Sequence, residues 1–476
     1  MAVSMTWRRA AALLIALAGL AVAPLATAEA ERRLPASSDE VRLSYAPLVK
    51  SAAPAVVNIY AKRMVQSRRR SPLFDDPFFR RFFGDDFFGG QQRQQSQNSL
   101  GSGVIVRADG VIVTNHHVIQ GATEITVVLN DRREFGAEVL LTDEKTDLAV
   151  LTIDPQGADL QHLDFADSDD LEVGDIVLAI GNPFGVGQTV TQGIVSALAR
   201  TNVSREGLQA FIQTDAAINP GNSGGALIAI GGGLIGINTA IFSRSGGSHG
   251  IGFAIPSNLV EAVVNNALMG GEVVRPWFGA SGQPVTADLA MSLGLDRPGG
   301  VLINRLHPDG PAAKAGLTVG DVLLAVDGHT VADLEELKFR IATLEIGGMT
   351  EVDLLRKGRT LKASLELEPP PEDPPRNLTL LSDRHPLQGA EVANLSPALG
   401  EELGFNALEV GVVVTRIRRG TAAHRLRLRP GDILVALNDI DIESVGQLVD
   451  LLRVDPGSWR FTVRRGRRTV NLVVRS

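Results

Sequence analysis

Short apolar runs, not long periodic ones, dominate the middle of the chain. Gly103-Val104-Ile105-Val106, Val111-Ile112-Val113-Thr114, Ile125-Thr126-Val127-Val128-Leu129 and Leu148-Ala149-Val150-Leu151 are separated by Gly, Asp and Asn turns. Further runs follow at 176–180 and 234–237. Regularly spaced short strands without long intervening helices predict an antiparallel sandwich or a pair of barrels over 101–269, and disfavour a βαβ sheet. A short helix ending at Ala53-Pro54 and a strand over 55–60 precede this region. Helical spacing over 257–269 closes it.

Beyond residue 270 the pattern repeats itself. Gly310-Pro311-Ala312-Ala313 followed by Gly320-Asp321-Val322-Leu323-Leu324 returns as Gly420-Thr421-Ala422-Ala423 followed by Gly431-Asp432-Ile433-Leu434-Val435. Each copy continues into an amphipathic helix, over 334–344 and 445–452. Each ends in a strand pair about Lys357-Gly358 or Arg465-Gly466. Pro369-Pro370-Pro371-Glu372-Asp373-Pro374-Pro375 between the copies reads as a stiff spacer.

Two stretches fit neither pattern. Residues 10–23 are almost purely Ala, Leu, Ile, Val and Gly, preceded by Arg8-Arg9 and followed by Pro24 and Ala26-Thr27-Ala28. A membrane-spanning helix needs about 20 apolar residues. This run is shorter, and its basic start and small-residue end match a cleaved signal peptide. The expectation is export, with no stable membrane span after cleavage. Residues 63–98 carry Arg68-Arg69-Arg70, seven phenylalanines (Phe74, Phe78, Phe79, Phe82, Phe83, Phe87 and Phe88) and a Gln-rich tail, and read as a long loop. Aromatics in that number usually find a partner surface.

Composition narrows the function. A chain of 476 residues exceeds one hydrophobic core. A net charge of −8 offers no concentrated basic surface, so no nucleic-acid partner is expected. With no cysteine, disulfides, thiolate metal sites and a cysteine nucleophile are excluded together.

The strongest candidate chemistry is Gly221-Asn222-Ser223-Gly224-Gly225. A nucleophilic serine needs an exposed Oγ and backbone N–H groups aimed where an oxyanion will form, and flanking glycines permit that crowded backbone. The N–H groups of Gly221 and Ser223 are the natural donors. A serine also needs a base, and the base an orienting group. Thr114-Asn115-His116-His117-Val118 ends an apolar strand and supplies a histidine pair, one of few in a chain with eight histidines. Thr146-Asp147-Leu148-Ala149-Val150-Leu151 places a carboxylate just before another strand. Either segment alone is compatible with an ordinary turn, and no His-Glu-x-x-His pattern supports zinc. The order His, Asp, Ser on β-rich sequence joins the three.

With these motifs, and with Gly181-Asn182-Pro183-Phe184-Gly185, Gln213-Thr214-Asp215-Ala216-Ala217-Ile218-Asn219 and Gly252-Phe253-Ala254-Ile255-Pro256, the chain resembles the HtrA/Deg family of chymotrypsin-fold proteases, close to the periplasmic two-PDZ members. The resemblance implies a mainly β fold: a chymotrypsin/trypsin-like double β-barrel protease domain followed by two PDZ domains. It implies a signal peptide at 1–28, a protease domain at 29–270, PDZ domains at 271–368 and 385–476, and a Pro-rich linker at 369–384. It also selects His117 as the base, with His116 at the family's variable position.

What the resemblance implies further is a serine endopeptidase of periplasmic quality control, acting without cofactor or metal on unfolded exported polypeptides. A chaperone with secondary proteolysis is the alternative. Ile218 and Ile241 would line the S1 pocket and favour small aliphatic P1 residues such as Val or Ala. Phe278, Gly279 and Ala280 would hold a substrate C-terminus, by addition of an extended strand whose carboxylate meets backbone N–H groups. The second copy departs from the pattern at Arg425-Leu426-Arg427-Leu428-Arg429-Pro430, which leaves peptide binding or an assembly contact open there. Arg200 matches a sensor loop coupling PDZ occupancy to the active site. A homotrimer or larger homo-oligomer is implied, with the Phe-rich loop reaching a neighbouring subunit.

Overall fold

The computed structural model describes residues 44–64, 96–182, 187–200, 210–219, 221–241, 250–270, 274–405, 408–454, 456–466 and 468–475. The expected signal peptide and positions 65–95 of the Phe-rich stretch lie outside them. Two units part at residue 47. Of Met1–Pro47 only 44–47 are described, and Leu48–Ser476 carries the elements that follow. Among the described residues no helix is long and apolar enough to cross a membrane.

Six strands form a first barrel: β1 (Val56–Met64), β2 (Ser96–Ile105), β3 (Val111–Asn115), β4 (Glu124–Val128), β5 (Glu134–Asp143) and β6 (Leu148–Ile153). They close in the order β1-β2-β3-β6-β5-β4, every pair antiparallel. Alternation sets the core. Val57 and Ile59, Ile125 and Val127, and Ala149, Leu151 and Ile153 are buried at two-residue spacing and meet inside.

A second six-stranded barrel follows from β7 (Ile176–Gly181), β8 (Thr189–Arg200), β9 (Phe211–Thr214), β10 (Ala226–Ala229), β11 (Leu234–Ile241) and β12 (Gly252–Pro256). Its closed order is β10-β11-β12-β9-β8-β7. Val177, Ala179, Ile212, Leu227, Ile235 and Ala254 fill it. The helix Ser257–Leu268 follows, burying Leu259, Val260, Val263, Val264 and Ala267, one helical stripe.

The repeat folds twice. The first copy runs β13 (Ala280–Pro284), β14 (Val301–Leu306), β15 (Val322–Val326), β16 (His329–Thr330), β17 (Met349–Arg356) and β18 (Arg359–Glu366). Its sheet order is β13-β14-β15-β17-β18, with β16 on β15. The second runs β19 (Thr379–Leu380), β20 (Ala390–Asn394), β21 (Val412–Ile417), β22 (Ile433–Leu437), β23 (Ile440–Asp441), β24 (Ser458–Arg465) and β25 (Arg468–Arg475), ordered β19-β20-β21-β22-β24-β25 with β23 on β22. Its first strand thus comes from within the 369–384 stretch expected to be linker.

Local chemistry explains why the copies agree. Asp333 and Ser444 cap the helices Leu334–Ala342 and Val445–Leu452, accepting from the N–H groups of Glu336 at 2.9 Å and Gln447 at 3.2 Å. The repeated Gly-Asp step places Asp321 and Asp432 almost wholly inside, each 1% exposed. Asp321 receives Nε and Nη2 of Arg356 at 2.7 Å each, and the N–H of Thr318 at 2.7 Å. Asp432 receives Nε and Nη2 of Arg465 at 2.6 and 2.7 Å, and the N–H of Arg429 at 2.8 Å. A buried carboxylate is tolerated only when so paired, and this clamp ties the last hairpin of each copy to its Gly-Asp turn.

Candidate active site

The first barrel presents an imidazole beside a carboxylate. His117 sits in the single turn His116–Ile119, directly after β3. Asp147 ends the β5–β6 connection in the left-handed region at φ 58°, an uncommon conformation for a non-glycine residue that points to local constraint. Several bonds hold it there. Its carbonyl accepts from the N–H of His116 and from Nδ2 of Asn115, each at 3.0 Å. Its Oδ1 accepts the backbone N–H of His117 at 3.0 Å. The ring Nδ1 of His117 lies 2.8 Å from Oδ2 and 3.0 Å from Oδ1. That contact puts the proton on Nδ1 and leaves Nε2 as the basic nitrogen.

The second barrel supplies the serine and the link to it. Ser223 lies in the turn before β10, and its Oγ donates to the carbonyl of Thr239 on β11 at 3.1 Å. Thr239 Oγ1 donates in turn to Asp147 Oδ2 at 2.7 Å. His117, Asp147, Thr239 and Ser223 are therefore joined by consecutive contacts across the two barrels. Thr239 is absent from the sequence reading, because a threonine within a strand carries no motif. Its only signal is its place in a strand that returns beside the serine turn.

The serine turn is clamped from several sides. Ser102 N–H donates to the Ser223 carbonyl at 2.9 Å. Ser102 Oγ donates to the Gly221 carbonyl at 2.5 Å and accepts the N–H of Asn182 at 2.8 Å. Thr114 Oγ1 donates to the Ser102 carbonyl at 2.7 Å. Gly224 adopts φ +82°, and a Cβ there would stand 2.1 Å from the Ser102 carbonyl oxygen and 2.4 Å from Thr114 Oγ1. Only glycine fits, which is why the motif carries one after the serine. The amides of this turn divide into two sets. Those of Asn222, Gly224 and Gly225 donate to the carbonyls of Asn219, Asn238 and Asn222 at 2.8–2.9 Å. Those of Gly221 and Ser223 have no such acceptor among the described residues. Two amides without an acceptor among the described residues, beside the Ser223 hydroxyl, could receive an oxyanion.

Electrostatics follow from the pair. Burial alone would push the His117 imidazole down, but the charge of Asp147 and its hydrogen bond outweigh it, and the pKa stands above the ordinary histidine value. Burial would raise the Asp147 carboxyl. The His117 charge, then bonds from His117, Thr239 and the His117 backbone, hold it below the ordinary carboxylate value.

The remaining expected residues are spread out. Ile218 is 1% exposed in the core of the second barrel, where a Cβ on Gly252 would meet its Cδ1 at 2.9 Å. Ile241 ends β11 and Arg200 ends β8, and both side chains lie outside the described residues. Phe278, Gly279 and Ala280 lead into the edge strand β13, with Gly279 at φ +74° and its Cβ position 2.9 Å from Gly310 Cα. The N–H groups of Phe278 and Gly279 make no hydrogen bond among the described residues.

Comparison with known proteins agrees with this geometry. Residues 101–237 match a trypsin-like peptidase domain, and 278–367 and 413–465 each match a PDZ domain. The chain is 36% identical to the periplasmic serine endoprotease DegP of Escherichia coli K12, over 96% of this chain and 97% of that protein. It is also 36% identical to the pH-dependent periplasmic serine endoprotease DegQ of the same organism, over 91% of each. A solved structure of the HtrA-type protease AlgW with a decapeptide is 47% identical, covering 69% of this chain and 99% of that one at a TM-score of 0.50. Two closed barrels, two PDZ domains and near full-length relatedness place the chain in the HtrA/Deg family, as a serine endopeptidase of the DegP/DegQ type.

Proposed function

We propose that this endopeptidase works in the periplasm on unfolded exported polypeptides, with Ser223 as nucleophile, His117 as general base and Asp147 as its orienting acid. The observation that carries this is the unbroken contact path from His117 through Asp147 and Thr239 to Ser223. His117 Nε2 takes the Ser223 proton as Oγ attacks a peptide carbonyl, and the developing oxyanion is received by the N–H groups of Gly221 and Ser223. The imidazolium, stabilised by Asp147, returns the proton to the leaving amine. Water then enters and loses a proton to His117 as it attacks the acyl carbonyl; His117 returns that proton to Ser223 Oγ as the ester bond breaks and the acid leaves.

Ile218 and Ile241 form the S1 walls in this reading. Uncharged branched walls favour Val and Ala, with discrimination of only about 1–3 kcal/mol per methylene-scale difference. The first PDZ domain takes polypeptide C-termini: β13 offers an open edge, and the amides of Phe278 and Gly279 are unspent. Arg200 relays occupancy of that site. The assembly is a homotrimer or a larger oligomer built from it.

The test is degradation of a reduced, unfolded model protein by the wild-type chain and by Ser223→Ala, with products mapped by mass spectrometry. Cuts after Val or Ala by wild type alone support the proposal. Equal solubilisation by both, without peptides, would replace it with the chaperone reading.

A further inference from the structure

The two PDZ domains differ at one place. In the first, β13 is an edge strand. In the second, the equivalent strand β20 is covered on that side by β19, with Thr379 opposite Val392 and Leu380 opposite Glu391 in antiparallel register. The contact runs on past the strand. Leu381 N–H donates to the Ala390 carbonyl at 2.9 Å, and Gly389 N–H donates to the Leu381 carbonyl at 2.7 Å.

Gly389 is the counterpart of Gly279. Their carbonyls accept from the equivalent N–H groups of Arg418 at 2.8 Å and His307 at 2.9 Å. The neighbouring amides of the second loop are also engaged: Gln388 donates to the His385 carbonyl and Ala390 to the Leu387 carbonyl, both at 3.0 Å. The side chain of Leu381 is 4% exposed, in the cluster that holds Val445, Leu448 and Leu452 of the flanking helix.

A peptide bound by strand addition lies antiparallel along this strand, sinks its last side chain beside the helix and offers its terminal oxygen to the loop amides. From within the chain, residues 379–381 lie antiparallel along β20, bury the Leu381 side chain in the cluster that includes the helix residues, and offer the Leu381 carbonyl to the Gly389 amide. We infer that Thr379-Leu380-Leu381 is an internal ligand of the second PDZ groove, with Leu381 in the place of a C-terminal residue, and that the groove it fills takes peptides ending in Leu. The inference rests on the PDZ geometry and not on the protease chemistry. It also accounts for a spacer that runs straight into the sheet, since a covered edge no longer recruits other strands.

The consequence is a groove closed in cis. A tethered segment acts at an effective concentration in the mM range. A groove open about 1% of the time binds an outside peptide about 100-fold more weakly than its intrinsic affinity.

The test uses the full chain with Ser223→Ala, so that nothing is cut, titrated calorimetrically with the free-carboxylate peptide Asn-Leu-Thr-Leu-Leu. Adding Leu381→Asp, which withdraws the anchoring side chain, is expected to add one binding site per chain. The increment carries the test whatever the first domain binds. If the first-domain reading fails, the total falls but the increment stays. Because Asp at a buried position can unfold the domain, Leu380→Cys with Glu391→Cys provides a second arm in a chain with no other cysteine. These directly opposed thiols are expected to close into a disulfide on mild oxidation, and the locked chain to keep the parent's site count. A folded Leu381→Asp chain that gains no site overturns the inference. So do thiols that stay open in a folded chain, and so does a locked chain that binds one peptide more than its parent. If Leu381→Asp unfolds, the lock decides.

Discussion

Replacing Thr239 by Val removes one hydrogen bond and almost nothing else. The two side chains have nearly the same shape, and the Thr239 carbonyl that meets Ser223 Oγ belongs to the backbone and is retained. What is lost is the 2.7 Å bond to Asp147 Oδ2. A hydrogen bond to a charged group contributes about 1.5–3 kcal/mol. At about 1.36 kcal/mol per decade of rate, full loss in the transition state would slow turnover roughly 10- to 160-fold. Asp147 keeps the backbone N–H of His117 on Oδ1 and the ring Nδ1 contact, so the lower half of that range is expected, about 10- to 30-fold. Thr239 acts by positioning Asp147, so kcat should fall while KM stays. The assay is steady-state hydrolysis of a chromogenic peptide with Val at the cleaved position, beside Thr239→Ser as the hydroxyl-retaining control. A kcat within twofold of wild type in a folded Thr239→Val chain, or no recovery in Thr239→Ser, would refute the positioning role.

Further outcomes are expected. His117 must be neutral to act as base and its pKa is raised, so the acid limb of kcat/KM should bend above the ordinary histidine value of about 6.5. Asp147→Asn removes the charge that opposes burial. It should move that limb below about 6.5 and lower kcat by roughly 10⁴. The same shifts carry opposite stability signs. The raised His117 value contributes stability that is full below about pH 6.5 and fades as pH rises through the folded value. The lowered Asp147 value contributes above about pH 4 and fades as pH falls through its folded value. Urea midpoints across pH, compared between wild type and His117→Ala, test this. Gly224→Ala should destabilise the protease domain by more than about 2 kcal/mol and abolish cleavage, read by calorimetry and peptide hydrolysis together. Asp321→Ala and Asp432→Ala should each lower the stability of their own PDZ domain by about 3 kcal/mol and leave the other unchanged, measured by amide exchange on the hairpins that carry Arg356 and Arg465.

Much of the fold is legible because burial repeats at a fixed period. Residues 111–113 and 148–151 are uninterruptedly apolar, and the structure buries all of them in strands of the first barrel. The helix over 445–452 begins at its capping Ser444 and follows its apolar stripe. β5 is less legible. It is a ten-residue strand, yet of its side chains only Leu141 and Asp143 are buried, so alternation has little to act on. Thr379–Leu380 was hidden by its neighbours: a polyproline stretch implies a spacer, and a two-residue strand has no period.

The sequence by itself determined most of the elements, the repeat and the chemical inventory of the candidate site. These depend on local properties: side-chain period, capping residues and turn glycines. Only tertiary structure decided the rest. Thr239 joins Ser223 to Asp147 because β11 returns beside the serine turn, a contact between residues far apart in the chain. Ile218 sinks into the second barrel because that barrel closes around it. Among the described residues the edge of β20 is covered, and that of β13 is not, because one short segment folds back onto a strand edge. Such contacts depend on which surfaces meet after the chain has closed on itself, and a pattern read along the chain records side chains without recording what they meet.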